Sequence, residues 1–178
     1  GFMFNYCSSL QTVSLFDTSN VNDMSYMFSS CSSLQTVPLF DTSNVDIMNN
    51  MFNSCSSLTS VPELDTSKCT NMGFMFYYCE ALETIPQLDT ANVNNMDGMF
   101  FSCFSLTNLG GFTGLKIDLD LSSSPLLTTE SVVNIINFAE DMSSSSPKTL
   151  TLSQDAFNRL SSEQVATASA KGWNIASR

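Results

Sequence analysis

A 24-residue internal repeat is the strongest constraint on what this 178-residue chain can fold into. A shift of 24 residues superimposes a row of cysteines, a row of leucines and a row of Met-Phe pairs, without a slip in register from Leu10 to Ser105. A unit this short cannot bury its own apolar side chains, so successive units are expected to stack. The cysteine row is Cys7, Cys31, Cys55, Cys79 and Cys103.

Each unit has the pattern of a short strand, a turn and a short helix. Four apolar side chains are spaced i, i+3, i+4 and i+7, which places them on one face of a helix. Residues 17–20 form a polar turn and helix N-cap, and residues 34–37 form a strand that Pro38 ends. The pattern predicts an α/β solenoid over residues 1–114, a leucine-rich-repeat-like right-handed coil with a parallel sheet and short helices. The four side chains in the unit around residue 28 are Met24, Met27, Phe28 and Cys31.

Residues 115–178 follow a different pattern and are predicted to form a C-terminal β-α-β-α-β module. A helical stripe begins after Thr128-Thr129-Glu130, and a second helical region covers about Gln154 to Lys171. Gly172 is well placed to end that helix before a last strand. We expect this α/β module to continue the sheet and to cap the open end of the solenoid.

The charge distribution bears on the class of partner. The net charge is −11, and residues 1–115 hold ten acidic residues and one basic residue, Lys68. Nucleic acid is excluded as a partner because its binding depends on contacts from Lys and Arg to phosphates. No apolar stretch is long enough to span a membrane. The chain has no histidine, which excludes Ser-His and Cys-His nucleophile systems. A carboxylate-pair hydrolase stays open as an alternative, but the acidic residues of the repeat belong to recurring rows or a surface helix, so we expect neither an enzyme nor a cofactor.

The repeat resembles the BspA-like bacterial leucine-rich repeats, in the subtype also found in mycoplasma-type surface lipoproteins. The resemblance covers about residues 1–115 and is closest for the segment 39–45, Leu-Phe-Asp-Thr-Ser-Asn-Val, and the Met, Phe, Cys and Leu positions that follow it. It implies an exported or surface-attached bacterial protein that adheres to host or bacterial surface molecules, and it brings no catalytic residues. The segment 171–175 is similar to C-terminal segments that follow such repeats in gut-bacterial surface proteins.

Two rows of the repeat have the residue types of a chemical site. Six cysteines in an exported protein suggest disulfides, but five share one repeat position and Cys69 replaces a valine of the neighbouring units, which favours buried free thiols. The aspartates could form a calcium ladder, but Asp-Thr-Ser-Asn is ordinary turn chemistry, so we favour carboxylates that accept hydrogen bonds from their own turns. We therefore expect no metal site. The aspartate row is Asp17, Asp41, Asp65 and Asp89.

Two surface features are the candidate partner-binding sites. Aromatic residues accumulate toward the last units, where they form an exposed recognition patch or pack beneath the helices of the C-terminal module. A polar row follows the predicted strand and suits a polar ligand, although any exposed strand needs such a surface. The aromatic candidates are Phe74, Tyr77, Tyr78, Phe101 and Phe104, and the polar candidates are Gln11, Gln35, Thr59 and Glu83.

These features together predict a non-enzymatic extracellular or cell-surface protein that binds a protein or glycan on a host or bacterial surface. The leader or anchor is expected outside these 178 residues. The alternative is a structural spacer or cap of a larger surface protein whose ligand site lies elsewhere. A ligand captured by these residues alone would favour the binding protein over the spacer.

Overall fold

The computed structural model describes residues 1–178, and its repeat units lie one above the next in parallel. The backbone bridges join residues 24 positions apart, from Asp23 to Ile47, from Ile47 to Asn71 and from Asn71 to Asn95. The period found in the sequence is therefore the distance along the chain from one turn of the stack to the next.

The short helix predicted in each unit does not form. In the segment 24–31, the amides of every second residue donate to the next turn of the stack, as Met24 N does to Ile47 O (2.9 Å) and Phe28 N to Met51 O (2.9 Å). The intervening amides donate within the turn, as Met27 N does to Met24 O. An α-helix would instead direct its amides, after the first turn, to the carbonyl groups four residues earlier in the same segment.

A row of left-handed residues replaces the helix. Tyr26 and Ser30 have φ of 55° and 61°, and their equivalents in the other units have φ between 56° and 65°. The spacing between turns explains this path, because packed helices lie about 8–10 Å apart whereas paired strands lie about 4.8 Å apart. A chain that brings equivalent residues to strand-like spacing has no room for a helix in every turn. The equivalents are Phe2, Asn50, Phe74, Gly98, Tyr6, Ser54, Tyr78 and Ser102.

Short strands appear only in the last units of the repeat. β1 (Thr84–Ile85) pairs in parallel with β3 (Asn108–Leu109), and β2 (Leu88–Asp89) pairs in parallel with β4 (Phe112–Thr113). Both pairings keep the 24-residue register, with Ile85 opposite Leu109.

The core is a set of side-chain rows that run the length of the stack. Consecutive phenylalanine rings of one row lie 5.4–5.7 Å apart between centroids and within 13° of parallel. Met, Cys and Leu rows are buried around them from the second unit onward. Offset stacking of this kind contributes beyond the burial of area, so each turn stabilises its neighbours. The ring row is Phe4, Phe28, Phe52, Phe76 and Phe100.

The C-terminal module has its own parallel sheet in the order β5-β6-β7. The expected continuation of the repeat sheet is absent, because these three strands pair only with one another. The predicted second helical region is two helices, and Ser161 begins the second of them with a capping box to Gln164. The elements are β5 (Leu119–Leu121), α1 (Thr129–Phe138), β6 (Lys148–Leu152), α2 (Gln154–Asn158), α3 (Ser162–Ala170) and β7 (Trp173–Ser177).

The module joins the last repeat through hydrogen bonds. Thr128 N donates to Thr107 O (2.9 Å), and Leu109 N donates to the buried Ser131 Oγ (3.0 Å) at the start of α1. The Lys171 ammonium group donates to the carbonyl oxygens of Ile136 and Ala139, which lie at the end of α1 and have no helical partners.

None of the three helices is long and apolar enough to cross a membrane.

Candidate binding surface

Four of the predicted aromatic candidates, Phe74, Tyr77, Tyr78 and Phe101, are connected by ring contacts on the surface of the last repeat units. Together with the exposed Phe104, three residues further along the chain, they are hereafter the aromatic cluster. The Tyr77 and Phe101 rings are stacked at 5.0 Å between centroids, and the Tyr78 ring meets both of them edge-on, at 4.6 Å and 5.6 Å. Phe74 meets Tyr77 edge-on at 5.4 Å. Phe104 occupies the same repeat position as Glu80, one turn later in the stack.

The aromatic cluster is open to solvent. Phe74 is 40% exposed, Tyr78 41%, Phe101 47% and Phe104 50%, while Tyr77 is half-buried between its neighbours. The hypothesis that these rings pack beneath the helices of the C-terminal module is therefore wrong. The ring that packs at that boundary is Phe138 of α1, which lies against Gly111. Partial desolvation and the neighbouring Tyr78 hydroxyl raise the pKa of the Tyr77 phenol.

A glycine positions the Phe74 ring at the edge of the cluster. Gly98 occupies the next turn at the same repeat position as Phe74, and a Cβ there would approach the Phe74 ring to 2.7 Å. Gly98 also has the left-handed φ of its row, 60°, which an L-residue adopts with strain. The absence of a side chain at residue 98 thus lets the ring of Phe74 lie over the following turn.

A shallow depression beside Phe74 and Tyr77 contains residues that the sequence analysis did not select. Asn71 and Asn95 lie there at the same position of successive turns, together with Asn49 and Tyr26. The carboxamide oxygens of Asn71 and Asn95 accept hydrogen bonds from the backbone amides of Gly73 and Asp97. The repetition of asparagine at one repeat position was the signal that could have identified them.

The predicted polar row is exposed but forms a separate line of the surface. Gln35 N donates to Gln11 O, Thr59 N to Gln35 O and Glu83 N to Thr59 O, so these four residues form one backbone ladder. Their side chains face solvent. The structure holds them in a row but brings no second functional group to them.

All six cysteines are free thiols, and every one except Cys7 is buried. Cys31, Cys55, Cys79 and Cys103 each donate to the carbonyl oxygen of the phenylalanine 27 residues earlier, at 3.0–3.2 Å. Burial raises the pKa of Cys103 to about 12 and that of Cys69 to about 11. A buried thiol whose pKa lies this far above neutral pH stays protonated and is a poor nucleophile.

The aspartate row accepts hydrogen bonds from its own turns. Asp41 Oδ1 accepts from the Ser43 amide at 3.0 Å and from the Ser43 hydroxyl at 2.7 Å, and the geometry repeats at Asp17 and Asp65. These bonds lower the pKa of the Asp17, Asp41 and Asp65 carboxyls below the ordinary value. No group of three or more Cys, Asp or Glu side chains is arranged to hold a metal ion.

The stack of parallel turns with its exposed aromatic cluster defines a repeat protein with a candidate binding surface. Comparison with known families matches residues 1–111 to the family described as "Mycoplasma protein of unknown function, DUF285", and the chain belongs to this family. Membership fits the mycoplasma-type repeat that the sequence resembles and is consistent with a bacterial surface protein. No curated protein and no solved structure matches the chain.

Proposed function

We propose that this protein is a non-enzymatic, extracellular or cell-surface repeat protein that binds a protein or glycan partner through the aromatic cluster. We also assign it to the leucine-rich-repeat-like class of right-handed solenoids, as a relative of the BspA-like repeats that has turns in place of helices. The single observation that supports binding is the surface exposure of the aromatic cluster, in which Tyr77 contacts Phe74, Tyr78 and Phe101. Phe104 is exposed as a separate ring.

Exposed aromatic clusters favour recognition for a physical reason. A large ring buries much area with little loss of conformational entropy, which makes Tyr and Phe effective contact residues. The rings also hold one another in place, since Tyr77 contacts Phe74, Tyr78 and Phe101. A partner would therefore meet a preorganised surface and would not have to order it.

The experiment is a binding screen of the purified protein against host matrix proteins and arrayed glycans. We expect a ligand whose binding falls at least tenfold in a Phe101→Ser/Phe104→Ser variant, since such residues carry most interface energy. Leu39→Ser is the matched control, because Leu39 is a large exposed apolar residue of the same repeat that lies outside the cluster. Binding that these cluster substitutions leave unchanged, or the absence of any ligand, would contradict the proposal and favour the spacer.

A further inference from the structure

Two rings at the C-terminal edge of the aromatic cluster, Phe101 and Phe104, are exposed and have a face that no other ring covers. Tyr77 stacks on one face of Phe101, at an interplanar angle of 17°. No further aromatic ring stacks on Phe101, and its side chain remains about half exposed. Phe104 is half exposed as well and contacts none of the other rings of the cluster. The cluster thus offers two phenyl rings on which a planar or cationic group can be placed.

The charge around these rings is negative. Glu80 lies at the same repeat position as Phe104, one turn earlier, and its side chain is exposed. Asp97, also exposed, precedes Gly98 beneath the Phe74 ring, and its carbonyl oxygen accepts from the Phe74 amide (2.8 Å). The repeat's one basic side chain, Lys68, donates to Asn44 Oδ1 in a different row.

We propose that the aromatic cluster binds a basic polypeptide segment, with arginine or lysine side chains seated on Phe101 and Phe104 and paired with Glu80, while Asp97 beside Phe74 adds to the negative charge of the surface. This inference rests on the binding function proposed above and names its ligand class. Ring faces attract cations through the quadrupole of the ring, and a guanidinium group can both stack on a ring and pair with a carboxylate. The negative potential of the whole repeat, with ten acidic residues and one basic residue, steers such a segment toward the site.

The same charges disfavour other classes of ligand. Sulfated, sialylated or phosphorylated ligands would be repelled by Glu80 and Asp97 and by the net negative charge of the repeat. A neutral glycan could stack on the rings, but it would leave the flanking carboxylates without a charged partner. A basic segment uses both the rings and the carboxylates.

The direct test uses the intact protein and a fluorescein-labelled peptide of alternating arginine and glycine, with a serine-glycine peptide for comparison. Fluorescence anisotropy measures both affinities at several salt concentrations. We expect binding of the arginine peptide only, with an affinity that falls as the salt concentration rises. A Phe101→Ser/Phe104→Ser variant should lose about tenfold in affinity, because two cation–ring contacts are removed.

Matched substitutions distinguish binding at the aromatic cluster from non-specific attraction of a cationic peptide to an acidic protein. Phe101→Tyr should retain the affinity and Phe101→Leu should not, since leucine keeps the apolar area without the ring. Glu80→Gln should lower the affinity about threefold, whereas Asp17→Asn, at the other end of the repeat, should leave it within about twofold. Thermal unfolding of each variant checks its fold, and the half-exposed position of Phe101 leaves the core intact.

Two outcomes would overturn the inference. One is binding of the arginine peptide that falls equally for Asp17→Asn and Glu80→Gln and does not respond to Phe101→Leu. The other is binding of a neutral glycan that depends on Phe101 and Phe104, with no binding of the arginine peptide, which would leave the proposed binding function standing. Failure of every glycan, matrix protein and peptide would instead contradict the binding function itself.

Discussion

The Cys55 thiol donates a hydrogen bond of 3.1 Å to the carbonyl oxygen of Phe28, which lies in the preceding turn of the stack. The same carbonyl group accepts from the amide of Cys31 in its own turn. Cys55 therefore fills a core position and also links two turns, and the contact recurs at Cys79 and Cys103. A disulfide would remove both the proton and the link.

The first prediction concerns the accessibility of the thiols. We expect one reactive thiol in the native protein, Cys7, and six after denaturation without reductant, because five of the six cysteines are buried and all are free. Titration with a chromogenic disulfide reagent measures both numbers. Fewer than about five reactive thiols in the denatured protein would contradict the assignment of free cysteines.

The second prediction concerns the stabilising effect of the cysteine row. Cys55→Ala should lower the free energy of unfolding by about 1–3 kcal/mol, through the loss of buried volume and of the bond to Phe28. Cys7→Ala is the control, because Cys7 is exposed, and it should change the value by less than about 0.5 kcal/mol. Chemical denaturation measures both, and equal effects at the two positions would be incompatible with a buried row.

The third prediction follows from the raised pKa values of the buried thiols. The ordinary thiol pKa is 9.0, and burial raises it to about 11 for Cys69 and about 12 for Cys103. The folded protein therefore binds more protons than the unfolded chain above pH 9, so stability is retained below this pH and falls as the pH rises toward 11 to 12.

Cys69→Val tests this dependence on pH, since valine occupies the same position in the units of Val21, Val45 and Val93. The free energy of unfolding, measured from pH 8 to pH 11, should fall less steeply in the variant than in the parent protein. All other ionisable groups are the same in the two proteins, so the comparison isolates the effect of Cys69. Identical slopes would mean that the Cys69 thiol is not buried as a neutral group.

The fourth prediction concerns the left-handed residues that replace the repeat helix. Ser30 has φ of 61°, so Ser30→Gly should raise the free energy of unfolding by about 0.5 kcal/mol, because relief of strain exceeds the added entropy of the unfolded chain. Ser14→Gly, at an exposed site without positive φ, should lower it by about the same amount. The same sign for both variants would show that Ser30 is not left-handed.

The buried side chains of each turn could be predicted from the sequence, whereas the path of the backbone could not. Met24, Met27, Phe28 and Cys31 are buried as the repeat indicates. Their i, i+3, i+4, i+7 spacing is typical of a helix face, but it also fits a chain whose hydrogen bonds alternate between its own turn and the next. The left-handed conformation of Tyr26 could not be predicted, since an aromatic residue gives no sequence signal of positive φ.

Helices with local signals were easier to predict. Gly172, with φ of 76°, follows α3 where a left-handed residue is needed, and a Cβ there would overlap the backbone of Met142. The aromatic cluster could be predicted only as a set of candidates. Its exposure depends on where α1 packs, and the depression beside it depends on the alignment of Asn71 with Asn95 between turns, which the separate sequence positions do not reveal.

The central claim is that stacked turns of one 24-residue register determine both the buried core and the exposed cluster. Deletion of residues 35–58 tests it most directly, because it removes one full period and joins Leu34 to Thr59 in register. Thiol titration of the native variant should find one reactive cysteine, Cys7, among the five that remain after the loss of Cys55. Deletion of residues 35–46 is the control, because it removes half a period and breaks the register. If all five cysteines of the full-period variant react under native conditions, as extensively as the cysteines of the control, the claim is contradicted.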